Sequence, residues 1–314
     1  MMSNIAIVVP CYNEEEMLPI YVEKMQALQK EFTEVSLRLY LVNDGSSDNT
    51  LNVMRSLYRE FPSFIHYISL SRNFGKEAAM LAGLEMTREE YIAIMDADLQ
   101  DPPELMQEMY RLIKEDKYDM VGTKRVDRQG EPLIRSWFSN MYYSVNNLIS
   151  GTKLESGVRD YRLMTRQVVD AILSLPEKNR FSKGIFAWVG FDTYYLPYEN
   201  RERLAGNTSW SFFSLFSYSL EGFISFSETP LDIASFLGLI TFFFALIGGL
   251  YIVIKTVVWG NPTPGWPSLA VIILAIGGLQ LLSIGILGKY IGKMFVETKD
   301  RPHFIIKEQS KEKN

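Results

Sequence analysis

Two long uncharged apolar runs limit what this chain can fold into. One goes from Ile233 to Ile254, the other from Ser268 to Gly288. Each holds about 20 residues, and a helix of that length reaches about 30 Å, the thickness of a bilayer's hydrocarbon core. A pair of buried helices in a soluble protein is the alternative, but such helices keep a polar face and these runs have none. Gly248-Gly249 and Gly277-Gly278 would weaken helices in water and suit close helix packing in lipid. The runs therefore predict a two-helix transmembrane hairpin, about 233–256 and 267–289, turned at Asn261-Pro262-Thr263-Pro264-Gly265. From Lys289 to Asn314 there are seven Lys/Arg and four Asp/Glu, an excess of three positive charges that places this end in the cytoplasm. Two spans return the N-terminal part to the same side.

Four segments follow from this. Residues 1–210 form a soluble domain and 231–290 the hairpin, with 291–314 as a cytoplasmic tail. Between domain and hairpin, 211–230 reads as interfacial amphipathic helices: Phe212, Phe216 and Phe223 are interleaved with serines beside a span. A core helix of the soluble domain is the alternative there. No cleavable signal peptide is expected, because Glu14-Glu15-Glu16 interrupts the first apolar run. The net charge of −5 argues against nucleic acid as a partner, since a binder needs a clustered basic face. His66 and His303 do not suggest a zinc site, and His66 reads as a strand-edge residue. The single cysteine, Cys11, excludes an intrachain disulfide and reads as a packing residue.

The soluble part repeats a strand-then-helix rhythm. Ile5–Val9, Leu37–Val42, Ile65–Leu70 and Tyr91–Met95 are compact apolar runs. Between them, Glu15–Lys30 has Met17, Leu18, Val22, Met25 and Leu28 at helical spacing, and two further helical segments follow. Such alternation predicts an α/β domain with a mostly parallel sheet and helices on both faces. Polar segments directly follow three strands, at Pro10–Glu14, Asn43–Asp48 and Asp96–Asp101. In open parallel sheets ligands bind outside the carboxyl ends of strands, so these loops should converge on one crevice.

Neither G-x-x-x-x-G-K-[ST] nor G-x-G-x-x-G is present. A divalent metal bridging carboxylates and phosphates is another way to hold a diphosphate. Asp96-Ala97-Asp98 could supply it, because alternate residues of an extended segment point the same way.

Val9-Pro10-Cys11-Tyr12-Asn13-Glu14, Val42-Asn43-Asp44-Gly45-Ser46-Ser47-Asp48 and Asp96-Ala97-Asp98-Leu99-Gln100-Asp101-Pro102-Pro103 resemble glycosyltransferase family 2. Asp160-Tyr161-Arg162-Leu163-Met164 and the paired spans resemble its polyprenyl-phosphate branch, which includes bactoprenol glucosyltransferases and dolichol-phosphate mannose synthases. The resemblance implies a GT-A (Rossmann-like) fold and inverting transfer from a nucleotide sugar to polyprenyl phosphate. It implies Mg²⁺ or Mn²⁺ at Asp96 and Asp98, with Gln100 beside them. Pro10, Tyr12, Glu14 and Asp44 would hold base and ribose, with Lys76 near the nucleotide. Asp160 and Arg162 would sit at the sugar and acceptor phosphate. It also implies a homo-oligomer, a tetramer. UDP-glucose is the first donor to test and UDP-N-acetylglucosamine the second. Two departures stand out: Arg159 replaces a glycine common before Asp160, and Ser209 replaces a usual lysine, which gives Arg203 more weight.

An acceptor phosphate is already anionic, so positioning and charge stabilisation should dominate catalysis. Arg125, Arg128, Arg135, Arg162 and Arg203 are candidates for its cationic lining. Asp160 orients the sugar or an arginine, with a general-base role left open. Diacylglycerol as acceptor would require that base. A non-catalytic nucleotide-sugar-binding scaffold is the rival from another class. A lipid transporter is disfavoured because the spans lack an intramembrane charge.

Overall fold

The computed structural model describes residues 3–126, 155, 157–198, 229–259 and 265–310. Arg128, Arg135, Arg203, Ser209, the segment 211–227 and Asn261–Pro264 lie outside the described residues.

Eight strands form one sheet: β1 (Ser3–Cys11), β2 (Val35–Asn43), β3 (Ile65–Leu70), β4 (Tyr91–Ile94), β5 (Met120–Arg125), β6 (Val158–Thr165), β7 (Thr193–Tyr198) and β8 (Ile306–Gln309). Their order is β7-β5-β6-β4-β1-β2-β3-β8. The pairs β1–β2, β1–β4, β2–β3 and β5–β7 are parallel, while β4–β6, β5–β6 and β3–β8 are antiparallel. This is the mostly parallel α/β sheet that the alternation predicts.

Strand period two divides the core. Ile5, Ile7 and Val9 face one layer, with α1 (Met17–Glu31), α2 (Thr50–Glu60) and α4 (Leu105–Glu115). Ala6 and Val8 face the other, with α3 (Lys76–Met86), α5 (Arg166–Leu173) and α6 (Ser182–Trp188). The apolar stripe of α1 is buried as its spacing requires. Gly83 lets α3 press on β1, where a Cβ would collide with Val8.

The apolar runs form α7 (Thr229–Trp259) and α8 (Trp266–Thr298), which pack against each other. Two stretches, Leu231–Ile252 and Ala275–Thr298, are long and apolar enough to cross a membrane. Phe236, Phe243, Phe244, Leu281 and Ile284 project outward from them. The helix α8 continues beyond residue 289 to Thr298, as nothing before Pro302 breaks it.

The tail is more than a tail. Residues 306–309 add β8 to the sheet beside Ile68–Leu70 of β3; the His66 ring stacks on Tyr40 of β2 at 5.0 Å. Arg55 Nε donates to Glu308 at 2.8 Å, and Ser310 N donates to the Tyr67 carbonyl at 2.9 Å. Chain enters β8 at the carboxyl end of β3, where Ser71 N donates to the Ile305 carbonyl at 2.8 Å. Glu297, in the last turn of α8, accepts the Lys178 N–H at 2.9 Å.

Candidate active site

The strands β2, β1 and β4 are neighbours and parallel, so their carboxyl ends share one edge of the sheet. The three polar loops meet there. Asn13 N donates to Ser46 Oγ at 3.0 Å, and Asn13 Oδ1 accepts from Ser47 N at 2.9 Å. Glu14 N donates to Thr50 Oγ1 at 2.9 Å, and Glu15 accepts the Asn49 N–H at 2.8 Å. Asn13 holds a left-handed backbone at φ 57°, which Asn tolerates better than most residues. Tyr12 is exposed above this stitched floor, with Pro10 and Glu14 half-buried around it.

Asp44 holds the neighbouring turn. It is buried, and its two oxygens accept the N–H groups of Phe74 at 2.7 Å and Gly75 at 2.9 Å. Both oxygens accept inside the protein, so Asp44 fixes the turn before α3. Gly45 makes this possible: its φ is +63° and a Cβ would strike the Arg72 backbone.

That turn delivers Lys76. The antiparallel pairing of Ile94 with Arg162 brings Asp96 and Asp160 together, each two residues beyond the paired positions. Lys76 Nζ lies between them, 2.6 Å from Asp160 Oδ2 and 2.7 Å from Asp96 Oδ1. The side chains of Lys76, Asp96 and Asp160 are 42%, 35% and 19% exposed, so the cluster opens on a cleft. Burial pushes Asp160 up, yet Lys76 and then Lys183 outweigh it and hold the carboxyl below the usual carboxylate range. Asp96 is raised, by burial first and by Asp160 and Asp98 against the pull of Lys76. One ammonium thus serves two carboxylates.

The metal motif departs from the extended geometry expected for it. The strand β4 stops at Ile94, and Ala97-Asp98 is a turn closed by Leu99 at φ 53°. Leu99 is buried, which draws the chain back instead of letting it continue as strand. Asp98 Oδ1 accepts the Gln100 N–H at 3.2 Å. Among the described residues no three His, Cys, Asp or Glu gather as metal ligands. Two carboxylates suit Mg²⁺ or Mn²⁺, which bind through one or two protein carboxylates and take their remaining ligands from substrate phosphates and water. The ammonium already seated on Asp96 shows that this position favours a cation. The residues present fit such an ion.

Arg162 is displaced from the expected acceptor contact. It is 1% exposed and lies over the Phe186 ring at 3.5 Å. It donates to the Asp160 carbonyl at 3.1 Å and the Arg159 carbonyl at 2.8 Å. Burial pulls its pKa down to about 10. These bonds tie it to the backbone at Asp160. Arg125 is half-buried at the end of β5, near the cleft rim.

Three further residues belong here. Arg159 Nη2 donates to Gln100 Oε1 at 3.0 Å, and its Nε faces Asp101 at 3.5 Å and the Tyr198 hydroxyl at 3.3 Å. It therefore clamps the 99–101 turn to β6 and β7. Lys183, one residue into α6, has its ammonium pulled down by burial against the attraction of Asp160. Glu77 accepts from the Ser182 N–H at 3.1 Å and from its hydroxyl, anchoring α6. The unusual Arg159 was legible as a departure; nothing in sequence points to Lys183 or Glu77. Cys11 is buried with its thiol pushed up by burial, in keeping with a packing role.

Comparison with known proteins supplies the family. The chain matches the family model described as glycosyl transferase family 2 over residues 6–173. It is 40% identical over 306 residues to a bactoprenol glucosyl transferase of Shigella phage SfX, covering 97% of this chain and 99% of the relative. A prophage bactoprenol glucosyl transferase homolog of Escherichia coli is 39% identical over 308 residues, covering 98% and 100%. A solved mannosyltransferase of Pyrobaculum calidifontis, in complex with GDP-Man and Mn²⁺, is 14% identical with a TM-score of 0.46, over 95% of this chain and 76% of that one. With the ordered motifs at the strand ends and a match spanning the sheet from β1 into α5, the chain belongs to glycosyltransferase family 2.

Proposed function

We propose that this enzyme transfers glucose from UDP-glucose to polyprenyl phosphate at the cytoplasmic face of the cell membrane. The observation that carries it is the charged cleft of Lys76, Asp96 and Asp160 on the sheet edge to which the chain returns from α8. Residues 299–305 are the seven that separate α8 from β8. They span at most about 25 Å, so the cleft edge stays close to the end of an apolar helix. A lipid whose phosphate lies in the headgroup layer could reach such a cleft. The names of the bactoprenol relatives support the same lipid class and the same sugar.

In the reaction, an acceptor phosphate oxygen attacks the anomeric carbon. The bond from that carbon to the diphosphate breaks with inversion, and UDP leaves with the electron pair. No proton has to move. Tyr12 and the stitched 13–15 and 46–50 loops offer the nucleotide surface. A divalent ion held by Asp96 and Asp98 would supply positive charge to the departing diphosphate. Lys183 would flank the sugar side, and Arg125, Arg128, Arg135 and Arg203 would form the proposed acceptor lining. Arg162 and Arg159 hold Asp160 and the 99–101 turn in place.

Diacylglycerol is the weaker acceptor reading. Its neutral hydroxyl needs a base, and a carboxylate held by Lys76 below the usual range accepts a proton poorly near neutral pH. The deciding experiment offers a panel of nucleotide sugars with undecaprenyl phosphate or diacylglycerol to the purified full-length protein. Mass identification of undecaprenyl-phosphate-glucose is the expected result. A diacylglycerol glycoside instead, or no lipid product from any donor, overturns the proposal.

A further inference from the structure

The cluster at the cleft has a feature that sugar transfer alone does not require. Asp96 and Asp160 come from different strands, yet both spend their charge on one lysine. Lys76 Nζ meets three carboxylate oxygens, at 2.6 Å (Asp160 Oδ2), 2.7 Å and 2.9 Å (both oxygens of Asp96). Three oxygens around one small cation resemble half of an octahedral shell, drawn out by about 0.5 to 0.9 Å relative to Mg²⁺–oxygen distances. The lysine is also free to leave. Its side chain is 42% exposed, and only its backbone is fixed, by Gly75 at φ 98° and the Asp44 grip on Phe74 and Gly75.

We propose that Lys76 is a resident counter-ion for the carboxylate pair, occupying Asp96 until a divalent metal takes it, so that metal and lysine exchange on one carboxylate. The inference rests on the reading of Asp96 as a metal-holding residue. Two properties follow from the geometry. Without donor, metal binds weakly, because it must break a short ion pair on Asp96. With donor, diphosphate oxygens add ligands to the metal and give the displaced ammonium a new anionic partner, so exchange becomes favourable. The lysine thereby makes metal uptake conditional on nucleotide. Asp160 keeps its place throughout, since the Arg162 guanidinium holds its backbone, donating to the carbonyls of Asp160 and Arg159.

The test measures Mn²⁺ uptake by the full-length protein in detergent, using the electron paramagnetic resonance signal of free Mn²⁺, first with Mn²⁺ alone and then with UDP. Wild type should bind Mn²⁺ weakly alone and tightly with UDP. In Lys76→Gln and the shape-conserving Lys76→Met, donor-free Mn²⁺ binding should tighten on the order of tenfold, the equivalent of one short ion pair no longer broken. The advantage conferred by UDP should shrink in step, while sugar transfer slows. Removing any nearby positive charge favours a metal, so Lys183→Gln is the control: it deletes a cation near Asp160 that has no bond to Asp96. Its tightening should stay under about threefold. Melting by circular dichroism confirms that each variant is folded, and either Lys76 variant suffices. The inference is overturned if both Lys76 variants bind Mn²⁺ no tighter than wild type, or if Lys183→Gln tightens binding equally. Wild-type protein that transfers sugar yet takes up no Mn²⁺ with UDP would remove the metal reading itself, and this inference with it.

Discussion

The two halves of the cleft are built on different physics. On the β1–β2 side, loops 12–15 and 43–50 are joined by hydrogen bonds from backbone N–H groups to Asn, Ser, Thr and carboxylate oxygens. Every such bond exists before any ligand arrives, and the surface is a preformed floor. On the β4–β6 side, the contacts are ion pairs: Lys76 with Asp96 and Asp160, and Arg159 with Asp101. These groups have more charge than their partners neutralise. A preformed hydrogen-bonded surface recognises a ligand at little reorganisation cost, whereas a frustrated ionic cluster gains most when charge arrives. In the proposed function, recognition falls to the first half and charge-driven chemistry to the second.

The largest effect should come from the ionic half. Asp98→Asn keeps the shape of the 97–100 turn, since its amide oxygen can still accept from Gln100 N, but removes one charge from the proposed metal position. The turnover rate should fall on the order of 10²-fold or more if this charge acts as in other preorganised sites. Raising Mn²⁺ should recover part of it. Unchanged metal dependence would place the metal away from Asp98.

Asp160→Asn should come next, with a rate loss of about tenfold, near the value of one charge-assisted hydrogen bond. In the donor-free protein Lys76 loses the charge of its 2.6 Å partner but keeps Asp96. The pH profile separates the roles. Lys76 holds Asp160 below the usual carboxylate range, so the folded protein keeps it ionised to lower pH than a free aspartate. Its own protonation would cost activity only below that range. An acid limb lying above the carboxylate range should therefore persist in Asp160→Asn at reduced height. Disappearance of that limb would make Asp160 a base.

Much of this contrast was legible in sequence, and unevenly so. Strand-end loops are visible because compact apolar runs stop abruptly at Pro10, Asn43 and Asp96, and parallel order follows from the helices between them. Residues 120–198 carried no such rhythm. The strands β5, β6 and β7 pair across long separations, and their register cannot be read from local pattern. Hence Asp160 was recognised by its motif but its closeness to Asp96 was not, although it follows from one antiparallel pairing. Arg162 misled for a related reason. An arginine in a functional motif reads as a phosphate ligand, and only the packed fold shows it under Asp160 against Phe186. The tail misled because 306–309 is too short and too charged to announce a strand, and it forms only because β3 offers an open edge.

The smallest effect on chemistry should lie in the hydrogen-bonded half, and Asp44 is the sharpest place to look. Asp44→Asn replaces one acceptor oxygen with an NH₂ donor that faces the N–H of Phe74 or Gly75. Neither outcome of amide rotation satisfies both donors, so one buried N–H loses its partner. Such a loss costs about 1–3 kcal/mol of stability, which a lowered melting temperature would show. Its functional reach is set by position. The turn it fixes leads directly into Lys76, so the lysine should wander while Asp96, Asp98 and Asp160 stay in place. The expected signature is a few-fold rise in donor KM with a smaller change in kcat. Asp44→Glu serves as the opposite probe: it restores both acceptors but adds a methylene in a buried site beside Gly45, and should recover stability only in part. If Asp44 instead contacts the nucleotide directly, Asp44→Asn should raise donor KM with no loss of melting temperature in the donor-free protein. Stability and KM moving together, with kcat nearly spared, is the outcome that keeps Asp44 as a support for the floor.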